Sequence, residues 1–302
     1  MVLLYVRMYN IVMIRILGKI ELPEEKARGK EKISHRAIRE QALQRLSRVE
    51  RENVHYLQSL LAEAGAPQHI LDHEGAIAEE AFRKSRGGHY EDAWIDENRE
   101  RLQEKQEKAA VRNEKRDGYF AEKVLPILFN KLFQGSDYLM LNTHPEDDLE
   151  HGVDQIIFDM RTGRALCALD EIVTNDALIA QRPEKEENFQ KKMERILRKH
   201  EKKHGVSVTY GMYFHEGKFQ KLGPLRNLDL AVMRVERRLF YEVLRDMNFS
   251  IHTSLGEAEQ QLMHYITLSL EKQIVFLESH SDKGYEDLRK LHAFLQERLE
   301  EA

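Results

Sequence analysis

Acidic side chains set on apolar strands are the residues in this chain best placed to do chemistry. The run GVDQIIFD, residues 152–159, puts Asp154 on one strand face with Ile156 and Phe158. A charge among such neighbours is costly unless it is exposed, paired or bound to a cation. The run ALCALDEIV repeats the pattern. There Asp170 shares a face with Ala168 and Ile172, while Glu171 shares the other with Leu169 and Val173. A helical stretch ahead of both, YFAEKVL, brings Glu122 next to its apolar stripe. Acids on three neighbouring elements can converge on one oxygen-lined site, which suits Mg2+ or Mn2+.

Other patterns compete with this one. His200-Glu201-Lys202-Lys203-His204 fits the H-E-x-x-H zinc pattern, with two histidines on one helix face and a glutamate as general base. Its lysine-rich flanks and Gly205 suit a solvated helix C-terminus better than a hydrolase cleft. His69 and His73 share i,i+4 spacing, but Pro67 and Asp72 place them on an exposed turn of helix. The acidic run Glu146, Asp147, Asp148 and Glu150 reads as a solvated loop, although it could extend a metal site. His144 just before it could touch a phosphate. Cys167 reads as a small core residue. Neither a P-loop, nor a dinucleotide glycine fingerprint, nor a serine in a nucleophile elbow is present.

The elements that would carry the acids follow from periodicity. Apolar residues from Ile38 to Leu61 recur at helical spacing over 35–64, and Gly65-Ala66-Pro67 ends that helix. A short helix around 75–84 follows. Residues 91–116 are mostly charged and read as a solvent- or partner-facing helix. Residues 117–133 form an amphipathic helix containing Pro126. Three strands are expected over 137–142, 152–159 and 164–173, with a tight turn at Thr162-Gly163. A helix over 184–204, a strand over 206–214 and a shorter run over 218–222 come next. Helices near 228–247, 256–278 and 283–300 close the chain. This predicts an α+β fold: a mixed sheet of four to five strands in α-β-β-β-α-β order, flanked by helical N- and C-terminal regions. The expected divisions are 1–32, an N-terminal strand or extension with a charged linker; 33–112, helical; 113–225, the α/β core; and 226–302, C-terminal helices.

The element order and the acid placement resemble the PD-(D/E)XK nuclease superfamily, over about residues 113–225. In that family a helix glutamate, a second-strand aspartate and an (Asp/Glu)-x-Lys tripeptide hold divalent metal and cleave phosphodiesters. Glu122 matches the helix glutamate and Asp154 the second-strand aspartate. The third-strand motif departs from the pattern. Laying Ala168-Leu169-Asp170 on the tripeptide loses the acid, and laying Asp170-Glu171-Ile172 on it loses the lysine. The resemblance therefore implies Glu122, Asp154 and Asp170 as ligands of Mg2+ or Mn2+, with Glu171 in reserve and catalytic alongside them. A substitute cation must come from elsewhere. Lys191 and Lys192 on the following helix are both available, and the sequence does not choose between them.

Composition bounds the alternatives. The chain has 302 residues, one cysteine and a formal net charge of −5, with 41% hydrophobic and 33% charged residues. That excludes a disulfide-stapled module and a low-complexity chain. The most apolar run, residues 1–20, is broken by Arg7, Arg15 and Lys19 and has no cleavage site, so a docked strand or amphipathic segment is expected, not a spanning helix or leader. Met8 and Met13 also allow the run to be an extended start. No membrane partner and a cytoplasmic location follow as expectations. Basic stretches at 26–51 and 191–203 could meet nucleic acid, DNA being favoured over RNA by the resemblance alone. Two functions remain open: a metal-dependent nuclease or degenerate relative acting on or binding DNA, and a non-catalytic scaffold. In the second, helices 35–64 and 91–116 form a partner surface or a homodimer contact.

Overall fold

Helix α1 (His35–Glu63) buries Ile38, Ala42, Leu46, Val49, Leu57 and Leu61 along one face, as its spacing requires. That face rests on α2 (Asp117–Phe133) and α5 (Arg237–Asp246). The computed structural model describes residues 35–81, 117–174, 191–198, 205–246, 250–280 and 284–301. The expected helix at 91–116, the H-E-x-x-H run and the N-terminal apolar run lie outside the described residues.

Beyond Gly65 (φ 86°) the chain turns where a short helix was expected at 75–84. Leu71 bridges Ile77, because the Asp72 carboxylate accepts the N–H groups of Glu74 (2.9 Å) and Ala76 (3.0 Å) and so competes with helix formation. Helical backbone begins only at residue 79.

The sheet has five strands in the order β1-β2-β3-β5-β4. They are β1 (Tyr138–Asn142), β2 (Gln155–Asp159), β3 (Arg164–Thr174), β4 (Val206–His215) and β5 (Lys218–Glu236). A short helix, α3 (Pro145–His151), lies between β1 and β2, and α4 (191–198) lies between β3 and β4. The sheet is mixed: β3 and β5 run parallel, and the other neighbours are antiparallel. The β2–β3 turn falls at Thr162-Gly163 as expected. Gly163 (φ 74°) is required there, since a Cβ would stand 1.9 Å from the carbonyl oxygen of Phe214. Helices α6 (Glu257–His280) and α7 (Glu286–Glu301) complete the α+β architecture. One apolar cluster runs through all of it, from Ile38 to Leu299.

The largest departure from the sequence reading is β5. Residues 228–236 extend the strand, whereas a helix was expected over 228–247. The segment LDLAVMRVE is buried at every position, so it lacks the in–out alternation that marks a half-exposed strand. Its register beside β3, from Cys167–Asp229 to Thr174–Glu236, makes it a central parallel strand. The helix starts one residue later, where a Glu236 carboxylate oxygen accepts the N–H of Leu239 at 2.9 Å.

Two buried carboxamides close strand edges. Asn130 accepts the N–H of Met140 (2.8 Å) and donates to its carbonyl (3.0 Å), which covers β1. Gln273 of α6 does the same for Val232, where β5 has run beyond its partner β4. No helix among the described residues is long and apolar enough to cross a membrane.

Helix α2 is anchored at its first residue. Asp117 accepts from Arg39 Nη1 (2.9 Å), Arg237 Nε (2.7 Å) and the Tyr241 hydroxyl (2.5 Å). Burial pushes its carboxyl up, but the Tyr241 hydrogen bond and the two guanidinium groups outweigh it and hold the pKa below the ordinary range. Asp117→Asn should therefore cost about 2 kcal/mol at neutral pH, read from urea denaturation. A depressed folded-state pKa gives stability that is complete above the unfolded value of about 3.9 and lost as pH falls through the folded value. The gap between native and variant should narrow on acidification; a gap that stays constant would contradict this role.

Candidate functional site

Strands β2 and β3 part at Asp154. The Asp154 N–H donates to the carbonyl of Leu169 at 2.8 Å, yet Leu169 is the register partner of Gln155. The regular ladder therefore stops at the Gln155–Leu169 pair, one residue after Asp154, and a further register shift lies between Ile157 and Phe158. The Asp154 carboxylate takes over the interrupted ladder: Oδ2 accepts the Glu171 N–H at 3.0 Å. Thr143 fixes the backbone by donating its N–H to the Asp154 carbonyl at 2.9 Å. Regular alternation would have set Asp154 on the face of Ile156, opposite Ala168 and with Asp170. Lying ahead of the strand, Asp154 turns to the Glu171 amide instead.

Four further elements supply side chains. On α2, Glu122 projects beside a core of Phe120, Ala121, Val124 and Leu125, and its carboxyl hydrogen-bonds that of Glu171. On α3, Asp148 stands exposed at the rim, with its carboxyl hydrogen-bonded to Asp154. Strand β3 carries both Asp170, partly buried, and Glu171, 7% exposed. From α4, the Lys192 ammonium pairs with Asp170 and donates to the Glu171 carbonyl at 2.7 Å.

Helix α3 is what the sequence reading took for a solvated loop. His144 caps it and stacks on Tyr210, with 3.9 Å between ring centroids. Burial pushes the His144 imidazole down to about 4, and its Nδ1 accepts the Glu146 N–H at 3.3 Å. Asp147, fully buried, accepts the N–H groups of Thr209 (2.7 Å) and Tyr210 (3.0 Å), which lie in an irregular stretch of the β4–β5 ladder. These bonds lock α3 to β4 and fix the position of Asp148. His144 and Pro145 at a helix start were the signals that could have revealed it.

The carboxyl groups perturb one another. Burial, and then the charges of Glu122 and Asp170, push Glu171 up to about 8, against hydrogen bonding from Asp154 and the pull of Lys192. Asp154 is raised well above the carboxylate range, first by burial and then by Glu171. Glu122 is raised by burial and by Asp148. Asp148 is raised by the protein packed around its carboxyl, despite the exposure of the residue as a whole, and by Asp170. Glu171 Oε2 is buried and faces no hydrogen-bond donor group. Among the described residues, no group of three or more His, Cys, Asp or Glu side chains is disposed to hold a metal ion as it stands. The carboxyls lie close enough to raise one another's pKa values. The donor set, oxygen throughout, fits a hard divalent ion.

Lys192 answers the choice the sequence left open, since Lys191 is exposed on α4 while Lys192 reaches the acids. Lys123 points elsewhere, donating to Glu50 at 2.6 Å. His69 and His73 are exposed at turns, not on a helix. Cys167 is fully buried in the core. The chain matches no family model, no curated protein and no solved structure.

Crowded acids should destabilise the metal-free chain. Above about pH 8, where Glu171 is ionised, Glu171→Gln removes one charge and lets its amide donate to Glu122 or Asp154. In a chelator, thermal unfolding should shift upward by about 2 °C, corresponding to relief of about 1 kcal/mol. A lower melting temperature would mean the cluster is not under repulsion.

Proposed function

We propose that this chain is a metal-dependent phosphodiester hydrolase, a nuclease acting on DNA. The observation that carries the reading is the meeting of Glu122, Asp148, Asp154 and Glu171 from four separate parts of the chain, with Lys192 at their side. Crowding of strongly perturbed acids beside a single cation is typical of functional sites.

In this reading Glu122, Asp154 and Glu171 would hold Mg2+ or Mn2+. Asp170, expected as the third ligand, instead orients Lys192, and Glu171 moves from reserve into its place. A bound divalent ion supplies charge neutralisation and activation of water at a phosphodiester. The chain's own contribution is positional. The Glu171 amide and Thr143 hold Asp154, α3 sets Asp148 at the rim, and Asp170 would hold the Lys192 ammonium where negative charge develops on the phosphate oxygens. Exposed Arg195, one turn beyond Lys192, donates to the His151 carbonyl at 3.2 Å and lies beside Gly152. That sets a guanidinium at the end of α3, two residues ahead of Asp154, where it could meet a phosphate. The preference for DNA rests on the family resemblance, and a cytoplasmic location rests on the single buried cysteine.

A non-catalytic scaffold is the second reading, favoured by the absence among the described residues of a group disposed to hold metal. Incubation with DNA and RNA in Mn2+ separates the two. The nuclease reading expects cleavage that falls at least about 100-fold in Asp154→Asn and by about 100- to 1,000-fold in kcat for Lys192→Met, both with native circular dichroism. Absence of metal-dependent cleavage in the native chain, or equal rates in Asp154→Asn, would leave the scaffold.

A further inference from the structure

Next to Asp154, at the first position of β2, stands Gln155, which neither the acid pattern nor the family resemblance singles out. It is fully buried, and neither Oε1 nor Nε2 has a hydrogen-bond partner. Leaving both ends of a carboxamide unmet inside a protein costs free energy at each, so such a group calls for an explanation in a water or an ion. Gln155 pairs with Leu169 across the ladder, and Glu171 lies two residues beyond Leu169 on the same face of β3. That is the diagonal neighbour position, within reach of a long side chain. Glu171 Oε2 is the other buried oxygen here that faces no donor. Two unmet polar side chains, each more than nine-tenths buried, thus occupy adjoining positions on one face at the edge of the acid cluster.

We propose that Gln155 is a positioning residue of the cation site: its carboxamide and Glu171 Oε2 hold ordered water behind the carboxylates, and that water fixes how Glu171 meets the ion. Three polar atoms suffice for a buried water, which needs two to four partners. Nε2 donates to the water, the water donates to Glu171 Oε2, and Oε1 accepts from the water or its neighbour. A carboxamide suits this place because it satisfies a carboxylate without adding a fifth negative charge. Partners behind metal ligands of this kind typically tune affinity 10- to 100-fold.

The inference rests on the metal reading, and one experiment keeps the two apart. Mn2+ binding to the full chain is followed by isothermal titration and by the Mn2+-induced shift in melting temperature, for the native protein, Gln155→Leu, Gln155→Met and Asp154→Asn. Gln155→Leu and Gln155→Met should melt at or above the native temperature in chelator, because an apolar side chain of similar volume removes unmet polar groups. Both should bind Mn2+ at least about 10-fold more weakly. Native affinity in both Gln155 variants, with binding lost in Asp154→Asn, would overturn the role of Gln155 and leave the metal site standing. No saturable Mn2+ binding by the native chain would overturn both. If one Gln155 variant fails to fold, the other decides.

Discussion

The site depends on a single irregularity in backbone hydrogen bonding. The regular ladder between β2 and β3 stops at the Gln155–Leu169 pair: Asp154 donates its N–H to the Leu169 carbonyl, and its side-chain carboxylate receives the amide of Glu171. The strands then diverge, and the space between them is where α2 delivers Glu122 and α3 delivers Asp148. A regular ladder would have separated Asp154 and Glu171 onto opposite faces of the sheet. The surrounding structure keeps the irregularity in place: Thr143 holds the Asp154 carbonyl, Asp147 holds α3 against β4, and Asp117 holds the start of α2.

Buried polar groups elsewhere in the fold are used in a consistent way. Asn130 and Gln273 each spend a carboxamide on one residue of a strand edge, and Lys131 is matched by Glu259, whose other role is to accept the N–H of Gly256 at 2.7 Å. Each of these groups finds its partners. Against that background, the unmet oxygen of Glu171 and the unmet amide of Gln155 stand out, and they lie together. Polar satisfaction is relaxed at the carboxylate cluster and kept in the other buried networks described.

Much of the architecture was legible in the sequence because its signals are local. Helix α2 matches the periodicity of 117–133 residue for residue, and β3, bearing Asp170 and Glu171, falls within a residue of its expected bounds, whereas β2 starts one residue after Asp154. What was not legible depended on tertiary context. Residues 228–236 are buried on all sides, so their pattern carries no period that distinguishes strand from helix. That the Asp154 carboxylate receives the amide of Glu171 depends on how β2 and β3 meet, which no composition reveals. Lys192 could not be separated from Lys191 without the packing of α4. Asp148 reads first as part of a solvated loop because a run of acids looks like one, although the cap and proline before it mark a helix start.

Strand β5 has one more consequence, for the order in which the molecule assembles. Its first half meets β4 across a turn at Glu216-Gly217, a closure of only a few residues. Its second half meets β3 through pairs such as Cys167–Asp229, about 60 residues apart. Loop-closure entropy favours the nearby contact, so the hairpin can form early while the parallel seam waits for the intervening chain to come together. The acids of β3 sit along that late seam. A nascent chain would therefore acquire its folded hairpin before it could gather its charges, and repulsion among them would be felt only near the end of folding.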